Sequence, residues 1–194
     1  MDSSTQTQTV MKTINRFLGL VLTLVSTLAT AQNLHSTSTG ETNFFSKTPV
    51  ENITATNKKV QSILNTATGE VVVRMNMKQF DFPNKLMGEH FNESYIESEK
   101  YPTGTFKGKI NEKIDFAKDG IYDVTSDGQF TIHGITKDRQ LKGKLTVLNN
   151  VISLVSEFEV ALVDHKIDVP KLVFVKIAQI VSVKNKFVYA LMNK

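Results

Sequence analysis

The stretch Leu86–Phe106, LMGEHFNESYIESEKYPTGTF, constrains the fold more than any other part of the chain. Leu86, Met87, His90, Phe91 and Tyr95 recur at helical spacing and form one stripe, with Glu89, Asn92, Glu93 and Glu97 largely on the other face. Pro83 suits the opening of a helix, and Tyr101-Pro102 forbids its continuation, so the helix should end near Ser98. Strand-like sequence lies on both sides. The fold must therefore house one short helix within an otherwise β-structured chain.

The flanking sequence sets out those strands. Val71, Val73, Met75 and Met77 alternate with Val72, Arg74, Asn76 and Lys78, the period of a half-buried strand. Before it, a first strand runs from the Ser/Thr-rich Gln32–Gly40 through Thr42–Ser46. Two more follow at Glu51–Asn57 and Val60–Thr66, parted by Asn57-Lys58-Lys59. After the helix, Thr105–Asn111 carries Phe106 and Ile110 on one face. Ile121–Ser126 and Gln129–His133 are separated by Asp127-Gly128, a tight-turn dipeptide. Leu141–Leu148 and Val151–Val163 flank an Asn149-Asn150 hairpin turn, and Leu154, Phe158, Val160 and Leu162 share a parity. Lys171–Val183 and Phe187–Leu191 close the chain. Many strands, short turns and little helix mean a sandwich or a barrel, and the meander of hairpins favours an up-and-down barrel of about eight strands.

The N-terminus reads as a secretory leader. Lys12 and Arg16 form a positive region, Phe17–Leu28 is a short apolar run, and Ala29-Thr30-Ala31 is a cleavage site. The apolar run is shorter than the roughly 20 residues a spanning helix needs. Met11 makes a better start than Met1, so residues 1–31 are expected to be leader, with translation from Met11, and residues 32–194 a single domain. Removing the leader lowers the formal charge from +4 to +3. The cations are scattered over strands without aromatic interleaving, which is no nucleic-acid footprint. With no cysteine, the chain has no disulfides, thiolate chemistry or lipidated N-terminal cysteine. Leu172–Val183, its most apolar later segment, is interrupted by Lys176, Gln179 and Ser182, so no transmembrane segment is expected in the mature chain. The expected location is periplasmic or secreted.

Three motifs carry a family resemblance. In Leu86–Phe106 they are Leu86-Met87, Glu89-His90-Phe91-Asn92, Tyr95 and Tyr101-Pro102. The others are Gly128–Lys137, GQFTIHGITK, and Phe158–Pro170, FEVALVDHKIDVP. Together, and with Glu51-Asn52-Ile53, the chain resembles the YceI-like family over nearly all of its mature length. The resemblance implies an all-β, antiparallel, lipocalin-like barrel with one inserted helix over its mouth. It also implies a long apolar channel for an isoprenoid, quinone or fatty-acid derivative, and a homodimer.

An isoprenoid tail offers no hydrogen bonds, so its site must be a dry apolar tube, each buried methylene contributing about 0.8 kcal/mol. Met75, Met77, Met87, Phe91, Phe106, Phe130, Phe158, Val160 and Leu162 supply suitable walls, the methionines adapting to an irregular chain. From pattern alone these residues read better as solid core; the resemblance reverses that for the group. His90 is the candidate for a headgroup contact, and a structural role is its simpler reading. His133, before Gly134, is expected to fix a turn. Among His35, His90, His133 and His165 no metal-ligand spacing occurs beyond the His90–Glu93 pair, so no metal is expected. No G-x-S-x-G and no Gly-rich phosphate loop is present, and Asp164 and Asp168 read as turn formers.

The expected function is non-catalytic lipid binding, with no cofactor beyond a bound isoprenoid or quinone. A ligandless interaction or stress protein would show a filled interior and an exposed apolar patch. An enzyme on a lipid-like substrate would need a perturbed carboxylate or histidine facing the cavity.

Overall fold

The computed structural model describes residues 33–48, 51–169 and 178–192. The expected leader, its cleavage after Ala31 and the Met11 start lie outside them, as does most of the strand expected over Lys171–Val183.

Eight strands follow one another around a closed antiparallel barrel. They are β1 (Leu34–Lys47), β2 (Asn52–Asn65), β3 (Glu70–Asn76), β4 (Thr103–Ile110), β5 (Gly120–Ile132), β6 (Ile135–Leu148), β7 (Val151–Ala161) and β8 (Ile180–Leu191). β8 pairs back onto β1, with Phe44 opposite Val183 and His35 opposite Leu191, so no edge is left open. The period-two pattern determines the faces: Val71, Val73 and Met75 are buried and the residues between them exposed.

Three breaks expected from local sequence are absent, one of them between Val183 and Phe187, where β8 runs on without interruption against β7. Residues 52–65 form one strand, not two. Asn57-Lys58-Lys59 is taken up as a bulge, since Gly40 pairs with Val60 but Thr42 with Asn57. The Asn57 side chain spans the irregularity, accepting from Lys59 N at 2.9 Å and donating to the Asn76 carbonyl at 3.0 Å. Asp127-Gly128 likewise lies inside β5, where Gly128 pairs with Gly108 on β4 and Arg139 on β6. A Cβ at Gly128 would stand 2.5 Å from Gly108 Cα and collide with the Lys107 carbonyl. Glycine here permits close approach of two strands. Long-range pairing on both sides outweighs the dipeptide's turn preference.

The turns that do form carry left-handed residues. Asn149 and Asn150 (φ 50° and 63°) join β6 to β7, and His133-Gly134 (φ 51° and 71°) joins β5 to β6.

Between β3 and β4 lies the helical insertion. Helix α1 (Lys85–His90) is capped by Asn84, whose side chain accepts from Leu86 N and Met87 N. It continues as a wider π-helical turn over Phe91–Tyr95, ending short of Ser98, with Ser98 N donating to the Asn92 carbonyl. Pro83 stands just ahead of the cap rather than in the first turn. No residue of α1 is buried. Of its apolar stripe, Leu86 is exposed and Met87 half-buried, while Phe91 and Tyr95, just past its last residue, pack against the core.

The two ends of the barrel differ. At the end holding the β2–β3 and β6–β7 turns, Val60, Leu64, Leu145, Val147, Ile152, Phe187 and Tyr189 pack into a dry core. The other end is hollow.

Candidate ligand cavity

The hollow end encloses a cavity of about 460 Å³ that opens beneath α1, a size within the roughly 300–1,000 Å³ typical of small-molecule sites. Of the nine apolar residues singled out from the sequence, Met75, Met77, Met87, Phe91, Phe130, Phe158, Val160 and Leu162 line it. Strand parity places Met75, Phe130, Phe158 and Val160 on inner faces. The helical insertion brings Met87 and Phe91 over the mouth.

Phe106 is set apart. It is buried, its ring lies against Gly108, and it borders a second, deeper void of about 50 Å³ rather than the main cavity. Its position on β4, nearer the packed end, removes it from the upper wall. His90 does line the main cavity and is exposed at its rim.

Sequence reasoning overlooked the aromatic collar of the mouth. Phe44, Phe80, Phe82 and Phe91 touch one another with ring centroids 5.0–5.7 Å apart. The signal was present: Phe80 and Phe82 alternate directly before the helix, and Phe44 shares the inward parity of Thr42 and Ser46. Such contacts are each worth about 0.5–1.5 kcal/mol beyond burial. They hold α1 to the barrel rim without filling the space beneath it. Tyr95, at the exit of the insertion, has its phenol pKa raised by burial.

The cavity wall is almost wholly apolar, with Thr42, Ser46, Glu51, Asn84 and His90 as its polar exceptions. Thr42 is buried at the floor, and its hydroxyl donates to Asn185 Oδ1 at 2.7 Å. Among the described residues no three His, Cys, Asp or Glu side chains come together to hold a metal ion.

Residues of all three sequence motifs line the cavity, and a second set of them meets beside its mouth. Glu97, from the insertion, places Oε2 2.8 Å from His133 Nε2. His133 Nδ1 donates to the His165 carbonyl at 3.0 Å, and His165 Nδ1 donates to the Ile135 carbonyl at 3.1 Å. Tyr101 packs edge-on against His133, centroids 4.5 Å apart, and closes over Gly134, where a Cβ would stand 2.6 Å from its ring. His133 thus fixes the β5–β6 turn and ties it to the insertion. His165 is fully buried against Phe130, and desolvation lowers its pKa, so the ring is neutral at pH 7. With Nδ1 donating, Nε2 carries no proton and finds no partner.

The profile of the YceI-like domain matches residues 25–189. No curated protein sequence gives a match. Among solved structures, a polyisoprenoid-binding domain from Saccharophagus degradans implicated in plant cell wall breakdown is similar at 14% identity. It covers 83% of this chain and 99% of its own, with a TM-score of 0.68. Burkholderia cenocepacia BcnA is similar at 14% identity over 78% of this chain and 96% of its own, TM-score 0.66. The Campylobacter jejuni YceI protein is similar at 17% identity over 71% and 84%, TM-score 0.56. At such identities the likeness concerns the fold, and it is the same eight-stranded barrel. The motif cluster, the barrel and the profile agree: the chain belongs to the YceI-like domain family.

Proposed function

We propose that the protein binds a long-chain isoprenoid or related lipid, a quinone, polyprenol or fatty-acid derivative, in the hollow end of its barrel, without catalysis. The observation that carries this reading is the open cavity of about 460 Å³ under the helical insertion, walled by Met87 and Phe91 of the insertion and by apolar strand faces. Apolar walls left facing empty space forfeit contacts that a ligand chain would restore. Met75, Met77, Met87, Phe91, Phe130, Phe158, Val160 and Leu162 form the tail site in this reading, with His90 at the rim.

The alternative of a ligandless interaction protein asks for a filled interior, which a cavity of this size argues against. The sequence supports a periplasmic or secreted location through the leader-like residues 1–31, and among the described residues no helix is long and apolar enough to cross a membrane. A homodimer, implied by the family resemblance, belongs to the same reading.

The test is to express the full chain with its own leader in a bacterial host, purify it, and extract it for lipid mass spectrometry. One long-chain lipid per protein is the expected result. Protein that is empty, and still empty after incubation with quinones, polyprenols and fatty-acid amides, overturns the proposal.

A further inference from the structure

Below the main cavity, one rung of the barrel departs from the apolar pattern. Thr42 on β1, Asn185 on β8, Ser156 on β7 and Gly143 on β6 are successive cross-strand partners, and all four side chains are polar or absent. Thr42 donates to Asn185 Oδ1 at 2.7 Å, and Asn185 Nδ2 donates to Ser156 Oγ at 3.2 Å. On the next strand, Ser126 is 8% exposed and its hydroxyl has no partner. Ser126, Ser156, Asn185 and Gly143 all border the void of about 50 Å³.

A buried hydroxyl without a partner opposes folding, and an alanine or valine at position 126 would continue the apolar pattern of β5. The polar rung also spans both spaces: Thr42 lines the upper cavity, and its partner Asn185 lines the lower void. Met75, Phe130 and Phe158 border both. Met75, unbranched and adaptable, is part of the wall the two spaces share.

We propose that the lower void is a headgroup subsite. Ser126, Ser156 and Asn185 take the small, uncharged, hydrogen-bonding terminus of a single-chain lipid, a hydroxyl or carboxamide. The chain then runs back through the upper cavity towards the mouth.

This rests on the lipid-binding reading and adds an orientation and a ligand class. The void is well below the size of sites that hold whole ligands, so it admits a terminal group and no bulky ring. Its three polar side chains are neutral. Lys142, which borders it along the strand, has the outward parity of β6 and is exposed. A phosphate or carboxylate would therefore be buried without a counter-charge, which is strongly unfavourable. A fully apolar chain would leave the Ser126 hydroxyl unsatisfied.

The test is competition by native mass spectrometry on the full chain, using oleyl alcohol, octadecene and oleyl phosphate as probes, with wild type and Ser126→Ala. Because the Ser126 hydroxyl has no partner to lose, the variant is expected to fold as well as wild type. The subsite predicts that wild type prefers the alcohol over octadecene by about tenfold and rejects the phosphate. It predicts that Ser126→Ala weakens the alcohol roughly three- to tenfold while leaving octadecene unchanged, the range of one lost hydrogen bond. Equal binding of alcohol and octadecene by wild type, or a preference that Ser126→Ala leaves at its wild-type size, overturns the subsite, leaves the lipid reading standing, and makes the void a water site. Binding of none of the three probes overturns the subsite; the lipid reading falls with it only where quinones and polyprenols also fail to bind.

Discussion

Glu97 and His133 face each other across 2.8 Å, and that contact joins the exit of the helical insertion to the turn between β5 and β6. Glu97 and His133 both have positive φ, 48° and 51°. The contact is therefore made between two backbone segments that ordinary residues reach at some cost. Behind it, His133 Nδ1 holds the His165 carbonyl, so one imidazole ties the insertion, the β5–β6 turn and the chain after β7 together.

His133→Ala should therefore lower the unfolding free energy by about 1–3 kcal/mol, the cost of leaving a carbonyl unsatisfied and placing alanine in a left-handed conformation. His133→Asn, which tolerates that conformation and keeps a donor, should lose less. Urea denaturation of both variants checks the order; equal losses would mean that backbone conformation and the donor are not what His133 contributes.

Burial lowers the pKa of His165, chiefly by desolvation, with the hydrogen bond to the Ile135 carbonyl and the charge of Asp164 opposing it. The unfolded chain therefore takes up a proton at higher pH than the native protein does. The His165 contribution is fully present above the ordinary histidine pKa and declines as pH falls below it towards the lowered native value. Stability should drop as pH falls through and below the ordinary histidine range. It should drop less in His165→Gln, whose side chain retains a donor for the Ile135 carbonyl without titrating. Parallel pH profiles for the two proteins would rule out His165 as the source.

Gly128→Ala should cost more than about 2 kcal/mol. The added methyl would meet Gly108 Cα and the Lys107 carbonyl, and neither can yield without moving β4. Thermal unfolding is a sufficient measurement. A variant of wild-type stability would show that β4 and β5 separate there more readily than their pairing implies.

Phe91→Ala removes the ring that meets Phe44, Phe80 and Phe82 together. A stability loss of about 2 kcal/mol is expected, below the range for a fully buried phenylalanine because Phe91 is half-buried. Amide exchange of residues 85–95 should rise more than that of the strands around Leu145 and Phe187. Uniform acceleration over the barrel would mean that the collar belongs to the global core rather than to the insertion.

The barrel was legible because its signals are short-range and repeated. Alternation in β3 identifies which of Val71 to Met77 point inward, and Asn149-Asn150 announces its hairpin through residues that tolerate positive φ. The same reading failed at Asp127-Gly128 and at Asn57-Lys58-Lys59. There the local preference is for a turn or a break, and pairing partners far away in sequence maintain the strand.

The cavity was legible in its membership and not in its shape. Eight apolar residues singled out from the sequence line one space because strand parity and helical spacing say which side chains face inward. Neither says how far along the barrel axis a residue stands, and Phe106, on the right face of β4, falls at the level of the deeper void. The collar of Phe44, Phe80 and Phe82 depends on three segments meeting.

The sequence by itself determined the β-meander, the single helical insertion and the inward faces, because these follow from periodicities of two and 3.6 residues. Only the tertiary structure decided that one end of the barrel is packed and the other hollow. It also decided that Thr42, Asn185 and Ser156 share a rung, and that Glu97, His133 and His165 form a chain of contacts. Those depend on strand register around a closed barrel, where each residue's neighbours are set by hydrogen bonding between strands and not by distance along the chain.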